Sequence, residues 1–163
     1  MQPTKDSFYV ALRDRLVVVD PNRTITLDGA TRPAIAVIEN EPPTGAPLLC
    51  DCFYLQWGNA RPAPISVSTL MAMDCSISYC TKGTVQNGNL DRGRDLAGMD
   101  NDLLAIGWPP QTPKYDYSSG SPVSLGSNIF WTRPLLNTAK STPPYVGREV
   151  TVTVFFYPEV SQS

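Results

Sequence analysis

Residues 148–158 read REVTVTVFFYP, and this stretch decides what kind of fold the chain can adopt. Val150, Val152, Val154 and Phe156 fall on one side of an extended backbone, while Thr151, Thr153, Phe155 and Tyr157 fall on the other. A strict two-residue period over β-branched and aromatic positions specifies a strand, because a helix would scatter each set around its circumference. A strand of this kind must find neighbours in a sheet.

Working outward, SVSTLMAMDCSISYC at 66–80 reads as a second long strand. Val67, Thr69, Met71, Met73, Cys75, Ile77 and Tyr79 line its apolar face, and the opposite face is more polar. LLCDCFYLQW at 48–57 predicts a strand covered on both faces, followed by a break at ARPAPI, 60–65. NIFWTRPLL at 128–136 predicts a short strand interrupted at Pro134. Nearer the start, RTITL and PAIAVIEN flank DGATR and predict a hairpin turning at Asp28-Gly29.

Two helices accompany these strands. Phe8, Leu12 and Leu16 recur every four residues, which predicts a helix capped by Thr4 or Asp6 and ending near Leu16, before the β-branched run VVV and Pro21. The stretch NLDRGRDLAGMDNDLLAIG at 89–107 is the harder one, since it is rich in carboxylates. Asp91, Asp95, Asp100 and Asp102 lack the alternating oxygen spacing and closing glutamate of a calcium loop. At about 100° per residue, however, Leu96, Met99, Leu103 and Ile106 form one stripe beside a polar side carrying Asp91, Asp95 and Asp102. A helix from about Leu90 to Ile106 follows, with Asn87 or Asn89 as cap and Gly107-Trp108-Pro109-Pro110 as stop.

The expected architecture is a single α+β domain over 1–163, with a mainly antiparallel or mixed sheet and two helices packed on one face. EPPTGAP at 41–47 predicts a stiff connector, and Trp108 to Ser127, without periodicity and rich in Pro, Ser and Gly, predicts a long irregular loop. Within the second helix Asp100 falls inside the apolar arc, where a carboxylate needs an arginine, a backbone donor or a partner chain. Gly98 beside it permits close approach of another backbone, or marks a bend or fraying of the helix. These two, with Trp108, Tyr115 and Tyr117 from the loop, are the candidate interface residues.

Composition bounds the chemistry. The chain has no histidine, which removes serine–histidine and cysteine–histidine catalysis and the commonest metal ligand. A net charge of −2 carries no electrostatic footprint for nucleic acid or acidic lipid. No apolar run approaches the roughly 20 residues of a membrane span. The opening MQPTKDSFYV lacks the basic-then-apolar pattern of a signal peptide, so a cytoplasmic site of synthesis is expected. Cys50, Cys52, Cys75 and Cys80 match no usual zinc spacing and read as small apolar thiols in a sheet, with disulfides unexpected in a cytosolic chain. No catalytic residue, metal or cofactor is assigned. The alternative reading is a small metal-binding domain or enzyme using the Asp91–Asp102 carboxylates, with paired carboxylates doing acid–base work.

The order of FYVALRDRL, a sheet, LDRGRDLAGMDNDLLAIGWPP and a closing IFWTRP…GREVTVTVFFYPE resembles the tail terminator, or tail completion, proteins of long-tailed bacteriophages and prophages. The resemblance is one of layout over most of the chain. It implies a non-enzymatic α+β subunit that forms a ring, typically a hexamer, on the end of the tail tube. Such a ring stops tube polymerisation and faces the head–neck connector proteins. The implied location is the virion tail, assembled in the bacterial cytoplasm, with the 108–127 loop and one exposed strand edge as contact surfaces. Another neck or head-completion protein of the same particle is the nearest alternative.

Overall fold

The computed structural model describes residues 1–27, 29–40, 49–64, 69–83 and 91–159. The stretch that opened the sequence reading lies in the longest strand, β10 (Tyr145–Phe156). Its Val150, Val152, Val154 and Phe156 are buried, and Thr151 on the alternate face is exposed. β10 pairs antiparallel along its length with β5 (Met71–Thr81), from Val146↔Thr81 to Phe156↔Met71. Where the two meet at Cys80, β10 carries Gly147, and a Cβ there would come within 2.8 Å of the Tyr79 carbonyl.

On the far side of β5 lies β4 (Phe53–Pro62), antiparallel, and beyond it β3 (Ile35–Val37), which pairs with β4 in parallel. On the other side of β10 come β7 (Val123–Trp131) and then β6 (Gln111–Asp116), while the short β8 (Leu135–Leu136) and β9 (Lys140–Thr142) pair with β10 farther along. The sheet is therefore mixed and mainly antiparallel. Helix α1 (Gln2–Val19) and helix α2 (Asp91–Ile106) cover one face of it. Phe8, Leu12 and Leu16 from α1 join Leu96, Met99, Leu103 and Ile106 from α2 in one core with the inward residues of β3, β4, β5, β7 and β10. Phe8 sits at its centre, edge-on to Trp57 at 5.4 Å and to Trp131 at 5.1 Å between ring centres. The α+β class holds.

Several boundaries differ from expectation. Helix α1 starts after Met1, with Pro3 in its first turn, so Thr4 and Asp6 lie inside it rather than capping it. It also runs through Val17–Val19 and stops at Asp20, whose N–H still reaches the Leu16 carbonyl at 2.8 Å. β-Branched residues cost a helix only some tenths of a kcal/mol each, so the stop is set by Pro21. The predicted hairpin forms, but as β1 (Thr24–Leu27) against β2 (Ala30–Pro33), turning through Gly29 at φ 78°. Ile35–Val37, read as part of that hairpin, joins the main sheet instead because both of its faces are buried.

The β1–β2 ribbon lies on the sheet face opposite the helices, where Ile25 packs with Ala34, Ala36, Cys52 and Tyr54 in a second, smaller core. The predicted strand at 48–57 begins only at Phe53, since Cys50 and Asp51 form a turn. The break expected at ARPAPI comes late: β4 absorbs a bulge between Trp57 and Ala60 and continues to Pro62. The 41–47 connector, Asp28, residues 65–68 and the helix caps Asn87 and Asn89 fall outside the described residues.

The largest difference is at 108–127. Instead of an irregular loop, Gln111–Asp116 and Val123–Trp131 form an antiparallel ribbon, β6–β7, in register from Gln111↔Phe130 to Asp116↔Val123 with an irregularity near Pro113. Val123 to Gly126 of β7 are all exposed, so no apolar alternation marks that end in the sequence. β6 is anchored by Lys114, which is almost fully buried. Its ammonium donates to the Tyr157 carbonyl at 2.5 Å and meets Glu159 at 3.0 Å, and the other Glu159 oxygen holds the Met1 amino group at 2.8 Å. Partial burial pushes the Glu159 carboxyl up, but the two ammonium groups outweigh it and hold it down to about 2, from 4.5. A carboxyl depressed in the fold adds stability above its unfolded pKa and loses it in acid. The Glu159 contribution should therefore be complete above about pH 4.5 and vanish toward pH 2. Thermal midpoints of wild type and Glu159→Gln, measured across that window, should differ most at its upper end and converge at its lower end. A constant offset would show that the clamp is not the cause.

Candidate functional site

The carboxylates of α2 do not form one site. Asp100 lies under the sheet end, where Arg148 of β10 grips it with Nε–Oδ1 at 2.9 Å and Nη2–Oδ2 at 3.1 Å. Tyr79 of β5 donates its hydroxyl to the same Oδ1 at 2.5 Å. Burial first, and then the hydrogen bond to Asp100, push the Tyr79 hydroxyl far above its ordinary range, so it stays protonated and donating. Arg148 also donates to the Asn137 carbonyl. The carboxylate in the apolar arc is thus answered from inside the chain.

Asp102 is held separately by Arg23, Nε–Oδ2 at 2.7 Å, while Asp95 is exposed and Asp91 is buried beside Gly83. Among the described residues no group of three or more cysteine, aspartate or glutamate side chains is placed to hold a metal ion. Of the four carboxylates considered from sequence for acid–base work, Asp100 and Asp102 are bound to different arginines.

Among the described residues of this chain, no heavy atom outside the helix backbone lies within 4 Å of a Cβ built on Gly98, so the gap is open. Gly98→Ala should then gain helix propensity, about 0.5–1 kcal/mol, with no clash. Chemical denaturation will read this as a higher midpoint at unchanged slope. Destabilisation, or loss of self-association with stability intact, would instead place a neighbouring subunit at Gly98.

The three aromatic candidates separate into two places. Trp108 follows the end of α2 and is 58% exposed, with the Arg133 guanidinium 5.0 Å above its ring. Leu104, Gly107 and Pro134 complete a shallow cleft there, and Leu135 next to it is 71% exposed. Behind this surface α2 is closed off by two donors: Arg15 reaches the Ile106 carbonyl at 2.9 Å, and Trp131 Nε1 reaches that of Gly107 at 2.9 Å. Both answer the unpaired carbonyls of a helix end. Tyr115 and Tyr117 lie instead along α1, with ring centres 6.1 Å apart. Burial chiefly, then the nearby Asp14 charge, raise the Tyr117 hydroxyl pKa.

The sheet edge at β6 is not an open template. Arg15 donates to the Gln111 carbonyl at 2.9 Å, Pro113 has no N–H to offer, and Ser7 Oγ both accepts from the Tyr115 N–H at 2.9 Å and donates to its carbonyl at 3.3 Å. Helix α1 thereby seals the edge that β-augmentation would need. The expected strand-edge contact does not exist at this edge.

Two further surfaces stand out. The first lies inside the 108–127 segment expected as a contact surface, where sequence reasoning singled out Trp108 and the two tyrosines instead: on the outer half of β6–β7, Val123, Ser124, Leu125 and Gly126 are all exposed, and Phe130 joins them nearer the body. The second is the sheet face away from the helices. There Asp74 is gripped by Arg61 at 2.8 Å and by the Thr153 hydroxyl at 2.7 Å, contacts that hold its carboxyl below the usual range. Ser76 donates to Glu149 beside them at 2.7 Å. The polar alternate faces read at 66–80 and 148–158 are the signal for this second surface. No helix among the described residues is long and apolar enough to cross a membrane. No protein-family model matches the chain, and no curated protein matches it either.

Proposed function

We propose that the chain is a non-enzymatic assembly subunit of a phage or prophage tail, which forms a ring, ends growth of the tail tube and joins the tail to the head–neck connector. The observation that carries the assembly part is the outer half of β6–β7. There Val123 to Gly126 of β7 are paired on one side only, by β6, and Val123, Leu125 and Phe130 spend apolar surface in water. A neighbouring subunit or tube protein laid along it would bury that surface. The Trp108–Arg133 cleft with Leu104 and Leu135 offers a second apolar patch on the same chain. A ring needs two different patches that meet head to tail, and two separate apolar patches on one chain support that reading. The tail-specific part rests on the resemblance in layout, and with it the virion location and the bacterial cytoplasm as place of assembly.

The test is sedimentation and negative-stain imaging of the purified chain, alone and with polymerising tail-tube protein. Rings about the width of a tube, and tubes that stop growing when the chain is added, are expected. Val123→Asp with Leu125→Asp should abolish both at little change in the unfolding midpoint of the monomer. A protein that stays monomeric at high concentration and does not bind tube ends would sink the reading. Binding that leaves tube growth unchanged would point to another neck protein.

A further inference from the structure

Cys50 and Cys80 are the two cysteines that the fold leaves half-buried, and their sulfurs lie 3.8 Å apart. They come from different elements, Cys50 from the turn before β4 and Cys80 from the end of β5. The backbone sets their meeting. Asp51 donates its N–H to the Cys80 carbonyl at 2.7 Å and takes φ 60°, a left-handed conformation that side-chain-bearing residues rarely adopt. This turn swings Cys50 over Cys80 instead of letting it run in line with β4. The other two thiols are kept apart. Cys52 is fully buried in the small outer core with its sulfur at the Phe53 carbonyl, and Cys75 is fully buried in the main core.

We propose that Cys50 and Cys80 are a modification site, which closes as a reversible intramolecular disulfide by exchange with a small oxidised disulfide such as that of glutathione. A thiolate of the pair attacks one glutathione sulfur, forming a mixed disulfide and expelling one glutathione thiolate. The second cysteine then gives up its proton and attacks the protein sulfur of that mixed disulfide, expelling the other glutathione. Two thiol protons end on two reduced glutathione molecules, and the pair has lost two electrons to the oxidant. The sulfurs must approach to about 2.0 Å, a movement that rotation of a half-exposed turn side chain supplies.

Burial foremost, then the neighbouring Cys50 and Asp51, push the Cys80 thiol up to about 11. Little thiolate exists there near neutral pH, so closure is slow, while its extent at equilibrium is set by the redox poise of the surroundings. If the assembly reading holds, a subunit made in a reducing cytoplasm and carried out in a released particle would cross that change. That use rests on the assembly reading, whereas the cross-link does not.

The test equilibrates the purified full chain in glutathione buffers from fully reduced to fully oxidised, then traps it with acid and maps its peptides. A Cys50–Cys80 linked peptide, lighter by two hydrogens and reopened by dithiothreitol, is expected, with Cys52 and Cys75 still free. Closing a loop of this length should raise the thermal midpoint by roughly 5–10 °C. Cys50→Ser, a turn substitution, should remove that shift, and Cys80→Ser should do the same. Stable glutathione adducts, cross-linked dimers, or links through Cys52 or Cys75 would overturn the proposal. Ring formation is not read in this assay, so failure here leaves the assembly reading untouched, and a strictly monomeric chain that forms the link would sink only that reading.

Discussion

Phe8→Ala should lower the unfolding free energy by about 3–5 kcal/mol, one of the two largest single-residue effects expected in this chain. Phe8 is 1% exposed and is the ring around which the two tryptophans of the core are set. Trp57 comes from β4 and Trp131 from β7, strands on opposite sides of the central β5–β10 pair. Removing the ring leaves a cavity between rigid indoles that cannot collapse into it, which places the cost toward the upper part of that range. It also removes two edge-to-face contacts, worth about 0.5–1.5 kcal/mol each beyond area burial. Phe8→Leu keeps most of the volume and loses mainly the ring contacts, so about 1–2 kcal/mol is expected for it. Denaturant midpoints of the two variants separate the terms. Equal losses would mean that volume does not matter at this position.

That ring also marks what the sequence makes legible. Four-residue spacing of Phe8, Leu12 and Leu16, and two-residue spacing through Met73, Cys75, Ile77 and Val150, Val152, Val154, place the main core correctly. Periodicity reads an element well when one of its faces is buried and the other is wet. It failed at 108–127 for the converse reason. The outer part of β7 is exposed on both faces, and β6 takes its fixed place from a buried lysine, a residue that burial statistics assign to the surface. At Ile35–Val37 the strand was read but its partner was not, because a three-residue strand buried on both faces carries no signal of which sheet it joins. The cysteine pairing was out of reach as well. Cys50 and Cys80 are brought together by a left-handed Asp51; aspartate tolerates that conformation better than most residues, but its presence alone does not specify it. Asp100, by contrast, was visible as an anomaly in the helical arc, and only its partners were missing.

Those partners make the second large prediction. Asp100 and Arg148 side chains are only 13% and 18% exposed, so their attraction is poorly screened by solvent and their desolvation is largely offset by each other. Asp100→Ala leaves a mostly buried guanidinium with the Asn137 carbonyl as its remaining partner, and it strips the Tyr79 hydroxyl of its acceptor. A loss of about 3 kcal/mol is expected. Arg148→Met should cost a comparable amount by stranding the carboxylate, although Tyr79 still donates to it. Replacing both residues, Asp100→Leu with Arg148→Met, exchanges an ion pair for apolar contact between α2 and β10. It should be less damaging than either single change, because no charge is left buried alone. A double-mutant cycle closed with Asp100→Leu and Arg148→Met as its single variants reads this directly as a coupling energy of about 3 kcal/mol or more. Singles that simply add would show that the two groups act independently despite their contact. The same cycle bears on function. If Asp100 serves only to fix α2 against the sheet, the double variant should still assemble at the wild-type concentration. Assembly lost in a double variant of normal stability would mean that a neighbouring subunit also reads this ion pair.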